Sequence, residues 1–568
     1  MKNSIFRNCL AFFTFLLFFV CNTVQSQDLE TIAKQKPFAI HGNTGLNLMG
    51  YDVSGIEARQ KPFSFILTAN ATISLYSFDL PFSFSISDKQ TSYSQPFNQF
   101  GMSPHWKWIT VHGGYRNLTF SSFTMAGHTF LGGGVELSPG LFRFGFLYGR
   151  FDRKTTENQL YQNDSLPGFA RRGFAVKVGV GTENNFFDLI LLRVRDDSTS
   201  LHQADTSSIR TPEQNVVMGI NGHFTFYKKL IWEVEAAMSL YTTNLGAAPL
   251  SDVENNATLH SLNKFLGINQ SSEYYSAIRS SLQYRAKLWS LKLEYRRIDP
   301  KYQSMGAYFF NNDMQNITIT PAISFWKRKI ALSGSVGLQS DNLRGTKLAT
   351  SVRTIGSANV SFNPLSTFGL DANYSNYSIS QRNGRLPLSD TTRVHQVTQN
   401  ISVSPRLLFA NTSLSHMIML NYNYSNFNDQ NKITSQYSAF TCQTAQLNYS
   451  LGLVKSRWSL LGGVTYSKTT SFTSDVTGVG GTIGVSKNLL KDKISLSWSN
   501  SLLHTSSPSP GGWVYNSTII SSYTINSHNS LRFNIYYTGN FSGATAIAPT
   551  IAPTYNEFKG DLSYVYTF

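Results

Sequence analysis

Large apolar residues alternate with small or polar ones along most of this chain. In the closing stretch GDLSYVYTF, Leu562, Tyr564, Tyr566 and Phe568 take every second position, with Ser563 and Thr567 between them. A period of two puts the two sets on opposite faces of a strand. The pattern recurs upstream. In LFRFGFLYGRF, Phe142, Phe144, Phe146 and Tyr148 share one face, and Arg143, Gly145 and Gly149 share the other. In LIWEVEAAMSLY, Trp232, Val234, Ala236, Met238 and Leu240 oppose Glu233, Glu235, Ala237 and Ser239. Leu291, Leu293 and Tyr295 oppose Lys292, Glu294 and Arg296, and Phe174, Val176 and Val178 oppose Lys177 and Gly179. Two carboxylates in the middle of an apolar strand are intolerable if their side meets lipid. One face therefore suits hydrocarbon and the other water, which is the dyad pattern of a transmembrane β-barrel.

The connections alternate in length. Tight basic turns fall near Lys228 and Lys229, Arg328, Ser456 and Asn529, and long polar segments lie at about 152–171, 196–213, 243–272, 297–313, 382–394, 424–434 and 541–557. Short turns toward the periplasm and long loops outside are the expected arrangement. Counting gives about 22 strands from His105 onward, and two more from FSFILTANATISLYSF and PFSFSISDK with a turn at Phe78 to Pro81. The predicted fold is all-β: a closed antiparallel transmembrane barrel of about 24 strands, within 22–26, over residues 61–568. Residues 27–60 hold a strand-like piece at 38–52 that is left open as a plug, an edge clip or an extra strand.

Composition narrows the class. Hydrophobic residues make up 41% of the chain but charged residues only 14%, with 41 Phe and 28 Tyr. Past the N-terminus no run reaches the length of about 18 apolar residues that a spanning helix needs. A closed barrel is then the one membrane solution that satisfies every backbone group. A soluble propeller or β-helix would carry a fixed repeat with recurring turn chemistry, and none is visible.

The chain begins with a basic region (Lys2, Arg7), an apolar run from Leu10 to Val20 and small or tolerated residues at Val24 and Ser26. Residues 1–26 read as a signal peptide cut after Ser26, the run being short for an anchor of ~20 residues. Val20 before Cys21 does not fit a lipoprotein site. Without Cys9 and Cys21 only Cys442 is left, so no internal disulfide framework forms. The formal charge of +16 falls by two with the signal peptide and is scattered rather than blocked. Such scatter argues against nucleic-acid binding and suits contact with anionic lipid, including lipopolysaccharide, or an internal surface.

Phe568, preceded at two-residue steps by Tyr566 and Tyr564, resembles the assembly signal that outer-membrane barrels present to the barrel-assembly machinery. The stretch Pro96 to Phe151, PFNQFGMSPHWKWITVHGGYRNLTFSSFTMAGHTFLGGGVELSPGLFRFGFLYGRF, resembles the N-terminal part of a poorly characterised, porin-like outer-membrane barrel family of Bacteroidota. That resemblance implies location and fold, not an activity. No TonB-dependent plug domain is expected, because too few residues separate the signal segment from the first strand to form one.

Candidate chemistry is sparse. His105, His112 and His128 lie close in sequence with Glu136 nearby, but their spacing matches no metal-ligand signature, and polar lumen residues are the blander reading. His504 in NSLLHTSS could serve a lipid-facing Ser–His–Asn site, yet Ser and Asn are so common here that such groupings arise by chance. The glycines of LGGGVE and GVGGTIG lack the lysine and helix of a phosphate loop and fit bends or close packing. No catalytic, metal or cofactor site is expected.

The inferred inner face gives the best functional clue. Lys177, Glu233, Glu235, Arg279, Arg285, Lys292, Glu294 and Arg296 mix signs on neighbouring strands. Cross-strand pairing would brace the wall, and excess positive charge would favour anionic solutes. From about Ile330 the inward positions turn to Ser333, Ser335, Gly337 and Gln339. The expected function is a porin-like outer-membrane channel for small hydrophilic solutes, anions included. The alternative is a non-catalytic subunit of a larger outer-membrane assembly, with other outer-membrane proteins as partners. A barrel enzyme comes third.

Overall fold

The computed structural model describes residues 38–75, 78–88, 99–155, 168–201, 211–250, 263, 265–308, 310–472, 475–506, 511–542 and 554–568. The segment read as a signal peptide lies outside them. The chain opens with β1 (Ala39–Ser54), β2 (Phe63–Leu75), β3 (Phe78–Ser87), β4 (Gln99–Met102), β5 (His105–Trp106), β6 (Ile109–Thr119) and β7 (Met125–Leu137). It continues through β8 (Phe142–Asp152), β9 (Arg171–Thr182), β10 (Asn185–Asp196), β11 (Gln214–Phe226), β12 (Leu230–Thr242), β13 (Ser272–Arg285), β14 (Trp289–Ile298) and β15 (Gly306–Ala307). Then come β16 (Met314–Phe325), β17 (Ile330–Ser340), β18 (Ala349–Leu365), β19 (Phe368–Asn383), β20 (His395–Ala410), β21 (Leu414–Asp429) and β22 (Phe440–Leu453). The last are β23 (Trp458–Ser471), β24 (Asp475–Leu489), β25 (Ile494–Ser506), β26 (Gly512–Thr524), β27 (Asn529–Ser542) and β28 (Tyr555–Thr567).

All of these belong to one sheet. Both β4 and β5 pair with β3 and with β6, so they are two pieces of one wall strand. The short β15 lies inside the wall, parallel to β7. That leaves 26 wall strands, two more than the central expectation. β1 pairs antiparallel with β28, from Asn43 against Thr567 to Ser54 against Asn556. This closes the sheet and leaves no edge to satisfy.

Both added strands have a physical reason for being hard to read. In β1 the outward row runs Ile40, Gly42, Thr44, Leu46, Leu48, so two small residues interrupt the apolar alternation. Gly42 is needed there, because a Cβ would stand 2.2 Å from the carbonyl oxygen of Asn70 on β2. The wall strand containing β4 and β5 is broken at Ser103–Pro104, where proline cannot donate to a ladder. His105, expected in a turn, lies in β5.

The faces follow the alternation. Leu447 and Val464, directly opposed on β22 and β23, are 49% and 60% exposed on the outer surface. Across most of the wall, outward positions are likewise large and apolar, an exterior untenable in water and suited to lipid. Connections at one end are short, such as Phe325 to Ile330 and Leu489 to Ile494, with Lys327, Arg328 and Lys491 in left-handed backbone conformation. Connections at the other end are longer. Strands β18 to β21 have 16 or 17 residues each, more than the ~10 that a bilayer needs. The polar stretch expected as a loop at 424–434 is accordingly strand as far as Asp429.

Candidate functional site: the lumen and its inner strap

Alternation sends Glu233, Glu235, Ala237, Ser239 and Tyr241 of β12 into the lumen, and the registers align them with inward residues of β11 and β13. Arg279 of β13 stands between two carboxylates, 3.6 Å from Glu233 and 3.4 Å from Glu294. Lys292 reaches the same Glu294 at 2.9 Å. Glu233 also accepts from Ser281 Oγ at 2.9 Å and faces His223 at 3.5 Å. On the neighbouring arc Lys177 pairs with Glu136 at 3.2 Å, while His112 meets Glu136 at 3.3 Å and Ser103 Oγ at 2.8 Å. Arg143 grips Asp188 through two bonds of 2.8 and 3.0 Å.

These contacts place the sequence candidates in three groups. Glu233, Arg279, Lys292 and Glu294 form one web, and Lys177 joins a second with Glu136 and His112. Glu235 and Arg296 serve a segment that enters the lumen. Arg285 stands apart at a short turn, exposed, bonded to Gln283 at 2.9 Å. His105 and His128 do not converge on His112: His105 bonds Thr110 and His128 stacks on Tyr308 at 4.4 Å. Among the described residues no group of three or more His, Cys, Asp or Glu is placed to hold a metal ion. His504 faces outward against Trp513, with ring centroids 4.4 Å apart.

The main feature missed by sequence reasoning is the dry half of the interior. Residues 120–124, linking β6 and β7, fold into the lumen, and residues 299–308 and 310–313, between β14 and β16, cross over to meet them. Ser122 Oγ and the Phe123 N–H both donate to Glu235, the latter at 3.0 Å. Tyr302, fully buried, donates its hydroxyl to the Phe123 carbonyl at 2.6 Å and packs edge-on against Phe123 and Phe310. Burial and the nearby Glu235 carboxylate raise the pKa of this phenol, keeping it a donor. Ser304 Oγ donates to the Thr124 carbonyl, Met305 N to Asn215 at 3.0 Å, and Ser239 Oγ to the Gln303 carbonyl at 2.7 Å. The guanidinium of Arg296 lies 5.8 Å from the Phe123 ring centre.

Beneath this strap the wall turns apolar residues inward, among them Leu147, Leu192, Val217 and Ile298, all fully buried. Each such side chain contributes roughly 1.5–3 kcal/mol. Two wall glycines make room: a Cβ on Gly145 would stand 2.9 Å from Phe120 Cζ, and one on Gly219 2.6 Å from Thr124 Cγ2. The sequence does hold a signal for this. NFFDLILLRVRD of β10 is apolar at nearly every position over Leu189 to Leu192, as in strands buried on both faces. On the short-turn side of residues 120–124 lies a cleft of about 420 Å³, lined by Arg143, Lys177, Asp188, Glu233 and Arg279 among others.

The opposite half is different. Asn359 faces Asn373, Asn373 faces Ser402, and Ser402 faces Asn423, giving an uncharged polar row across β18 to β21. Asn359, Asn373, Asn400 and Asn423 are all exposed.

A closed antiparallel wall with an apolar exterior and this interior is a β-barrel of the outer-membrane type. No protein-family model matches the chain, and no curated protein matches it in sequence. Among solved structures it is similar to the P pilus usher PapC translocation pore, at 10% identity, over 93% of this chain and 99% of that one, with a TM-score of 0.38. It is also similar to the FrpB iron transporter from Neisseria meningitidis, at 10% identity, over 93% and 81%, with a TM-score of 0.37. OccK1 (OpdK) of Pseudomonas aeruginosa aligns at 12% identity over 68% and 99%, with a TM-score of 0.30.

Proposed function

We propose that this chain is a non-catalytic, porin-like channel of the outer membrane for small hydrophilic solutes, narrowed on one side by its inner strap. The observation that carries the reading is the exposed polar patch that includes Asn359, Asn373, Asn400 and Asn423, which lines the interior with groups that bind water and carry no charge. Among the described residues that side of the wall is exposed and the other is covered, which leaves a passage between. Every cation around the cleft has a carboxylate or aromatic neighbour: Arg143 has Asp188, Lys177 has Glu136, and Arg279 has Glu233 and Glu294. Paired charge braces the wall, and the expected preference between anions and cations is weak. The anionic solute favoured by an unpaired cluster has no support from this arrangement. Planar-bilayer recording of purified protein tests the channel. Steady conductance in neutral-pH salt is expected, and a barrel that inserts yet stays silent overturns it.

A second reading has its own support. Twenty-six strands ~4.8 Å apart and tilted by ~40° would enclose a round opening roughly 50 Å across, whereas the strap lies along β7 to β14 only. Such a width favours a partner seated in the lumen, making the chain a subunit of a larger outer-membrane assembly. Extraction in mild detergent separates the two: stoichiometric co-purifying protein supports the subunit, its absence from a conducting barrel the channel. In both cases Tyr564, Tyr566 and Phe568 would be read by the barrel-assembly machinery, and outer-membrane lipid and lipopolysaccharide would surround the wall.

A further inference from the structure

The registers of β8, β9 and β10 stack their outward side chains into five rows. The first three are apolar throughout: Phe142, Val180 and Phe187; then Phe144, Val178 and Leu189; then Phe146, Val176 and Leu191. The fourth is Tyr148, Phe174 and Arg193, and the fifth is Arg150, Arg172 and Arg195. The apolar ladders of β8 and β9 thus end in arginine at one register row, and that of β10 ends one row sooner, at Arg193. From Phe142 to Arg150 the rise is roughly 20 Å at ~3.4 Å per residue and ~40° tilt, close to the ~25 Å apolar band of such barrels. The arginine row therefore stands where hydrocarbon gives way to headgroups, at the end of the barrel with the long connections.

Three guanidiniums side by side on adjacent strands repel one another. Among the described residues none of Arg150, Arg172, Arg193 and Arg195 has an ion-pair partner, although Arg193 bonds Gln214 at 3.3 Å and lies over Phe265. The nearby carboxylates have partners of their own, and only Asp197 also feels the charge of the row, through Arg172. Asp152 and Asp196 turn inward to Arg171 at 3.2 and 2.8 Å, and Asp197 accepts from Thr199 at 2.7 Å. Arg172 and Arg195 are exposed. A planar guanidinium fork matches phosphate oxygens in pairs, and a ligand whose acyl chains lie against the exposed Phe146 and Tyr148, beside Phe174 where it packs on Phe265, would gain apolar contact as well.

We propose that the row Arg150, Arg172 and Arg195, flanked by Arg193, binds the phosphates of an anionic glycolipid in the outer leaflet, with the lipid chains on the aromatic face below. This rests on the reading of the chain as a membrane-spanning barrel. The test uses full-length protein in detergent and measures binding of bis-phosphorylated lipid A, the same lipid without its phosphates, and inorganic pyrophosphate. The parent is expected to bind the phosphorylated lipid at least tenfold more tightly than the Arg150→Gln, Arg172→Gln, Arg195→Gln triple variant. It should show no such difference for the dephosphorylated lipid. Arg297→Gln, which removes an outward arginine of β14 already paired with Asp299 at 3.5 Å, should bind as the parent does. Equal binding by parent and triple variant overturns the proposal, as does pyrophosphate displacing the lipid at equal concentration, which would mark a free-phosphate site. Heat-modifiable gel migration checks that each variant has folded, and the single Arg172→Gln gives a graded loss if the triple does not fold. A chain that stays dissolved without detergent overturns the membrane reading itself. A heat-modifiable barrel that binds no lipid A overturns this inference alone.

Discussion

The backbone N–H of Phe123 donates to Oε1 of Glu235 at 3.0 Å, joining residues 112 positions apart in sequence. With Ser122 Oγ on the other carboxylate oxygen, one side chain of β12 holds the tip of the inner loop. Hydrogen bonds to a charged group contribute ~1.5–3 kcal/mol each. Glu235→Ala should therefore free the tip by a few kcal/mol, while Glu235→Gln, which keeps an acceptor, should do so less. In single-channel records the alanine variant is expected to show larger and noisier conductance than the parent, with the glutamine variant between. Identical traces for all three would mean that the strap does not narrow the passage.

The two wall glycines offer a steric version of the same question. Side chains at Gly145 and Gly219 would collide with Phe120 and Thr124, whereas a Cβ at Gly462 meets nothing within 4 Å. Overpacking costs about 1–3 kcal/mol. Gly145→Val and Gly219→Val should lower the thermal unfolding midpoint in detergent, and Gly462→Ala should leave it level or raise it slightly. A Gly219→Val barrel as stable as the parent would show that the loop does not pack on the wall in solution.

The alternation that makes the barrel legible is a local property, imposed on each strand by lipid on one side. It weakens where that pressure is relieved: at Gly42 and Thr44 of β1, at Pro104 between β4 and β5, and along the polar upper parts of β20 and β21. Of the site, the mixed-sign web of Glu233, Arg279, Lys292 and Glu294 was legible because all four occupy inward positions of three adjacent strands. The strap was not, because Tyr302 meets Phe123 across 179 positions, and no local period records such a contact. Arg150, Arg172 and Arg195 are likewise unremarkable in sequence and come into line only through register.

Arg279 separates Glu233 from Glu294, so its loss leaves two lumen carboxylates with less compensation. Lys292 still reaches Glu294, and His223 is the remaining neighbour of Glu233. In a potassium chloride gradient the parent is expected to show a reversal potential near zero, and Arg279→Gln one shifted toward potassium selectivity. A shift toward chloride would contradict the pairing.

The base of the strap should respond to acid. Burial raises the pKa of the Asp299 carboxyl, but hydrogen bonds from the Ser276 hydroxyl at 2.7 Å and its N–H at 3.0 Å, with Arg297 nearby, outweigh burial and hold it below the usual range. A depressed folded value means that the stabilisation is fully present above the unfolded value of about 3.9 and is lost as pH falls through the folded one. Strap mobility, followed by limited proteolysis, should therefore rise only below about pH 4. In Asp299→Asn it should be raised already at neutral pH and change little on acidification. A parent equally protected at pH 3 and pH 7 would place the anchor elsewhere.

Closure imposes the strictest condition on the chain. β28 descends toward the short-turn end, β1 rises from it and β2 descends again, which is why β1 can pair antiparallel with both neighbours. Without β1, 25 strands remain, and β28 would meet β2 running in the same direction. A parallel seam needs a different hydrogen-bond register from the antiparallel ladder on either side, and an unclosed seam exposes unpaired backbone groups to lipid at several kcal/mol each. Deleting residues 39–54 while keeping residues 1–38 should therefore abolish heat-modifiable migration and leave the protein open to protease. Weakening the seam without removing it is a milder case. Gly42→Val, whose Cβ would press on the Asn70 carbonyl, is expected to give a barrel that forms but unfolds at lower temperature. A 39–54 deletion that still migrates as a folded, protease-resistant barrel would mean that the wall closes without this strand.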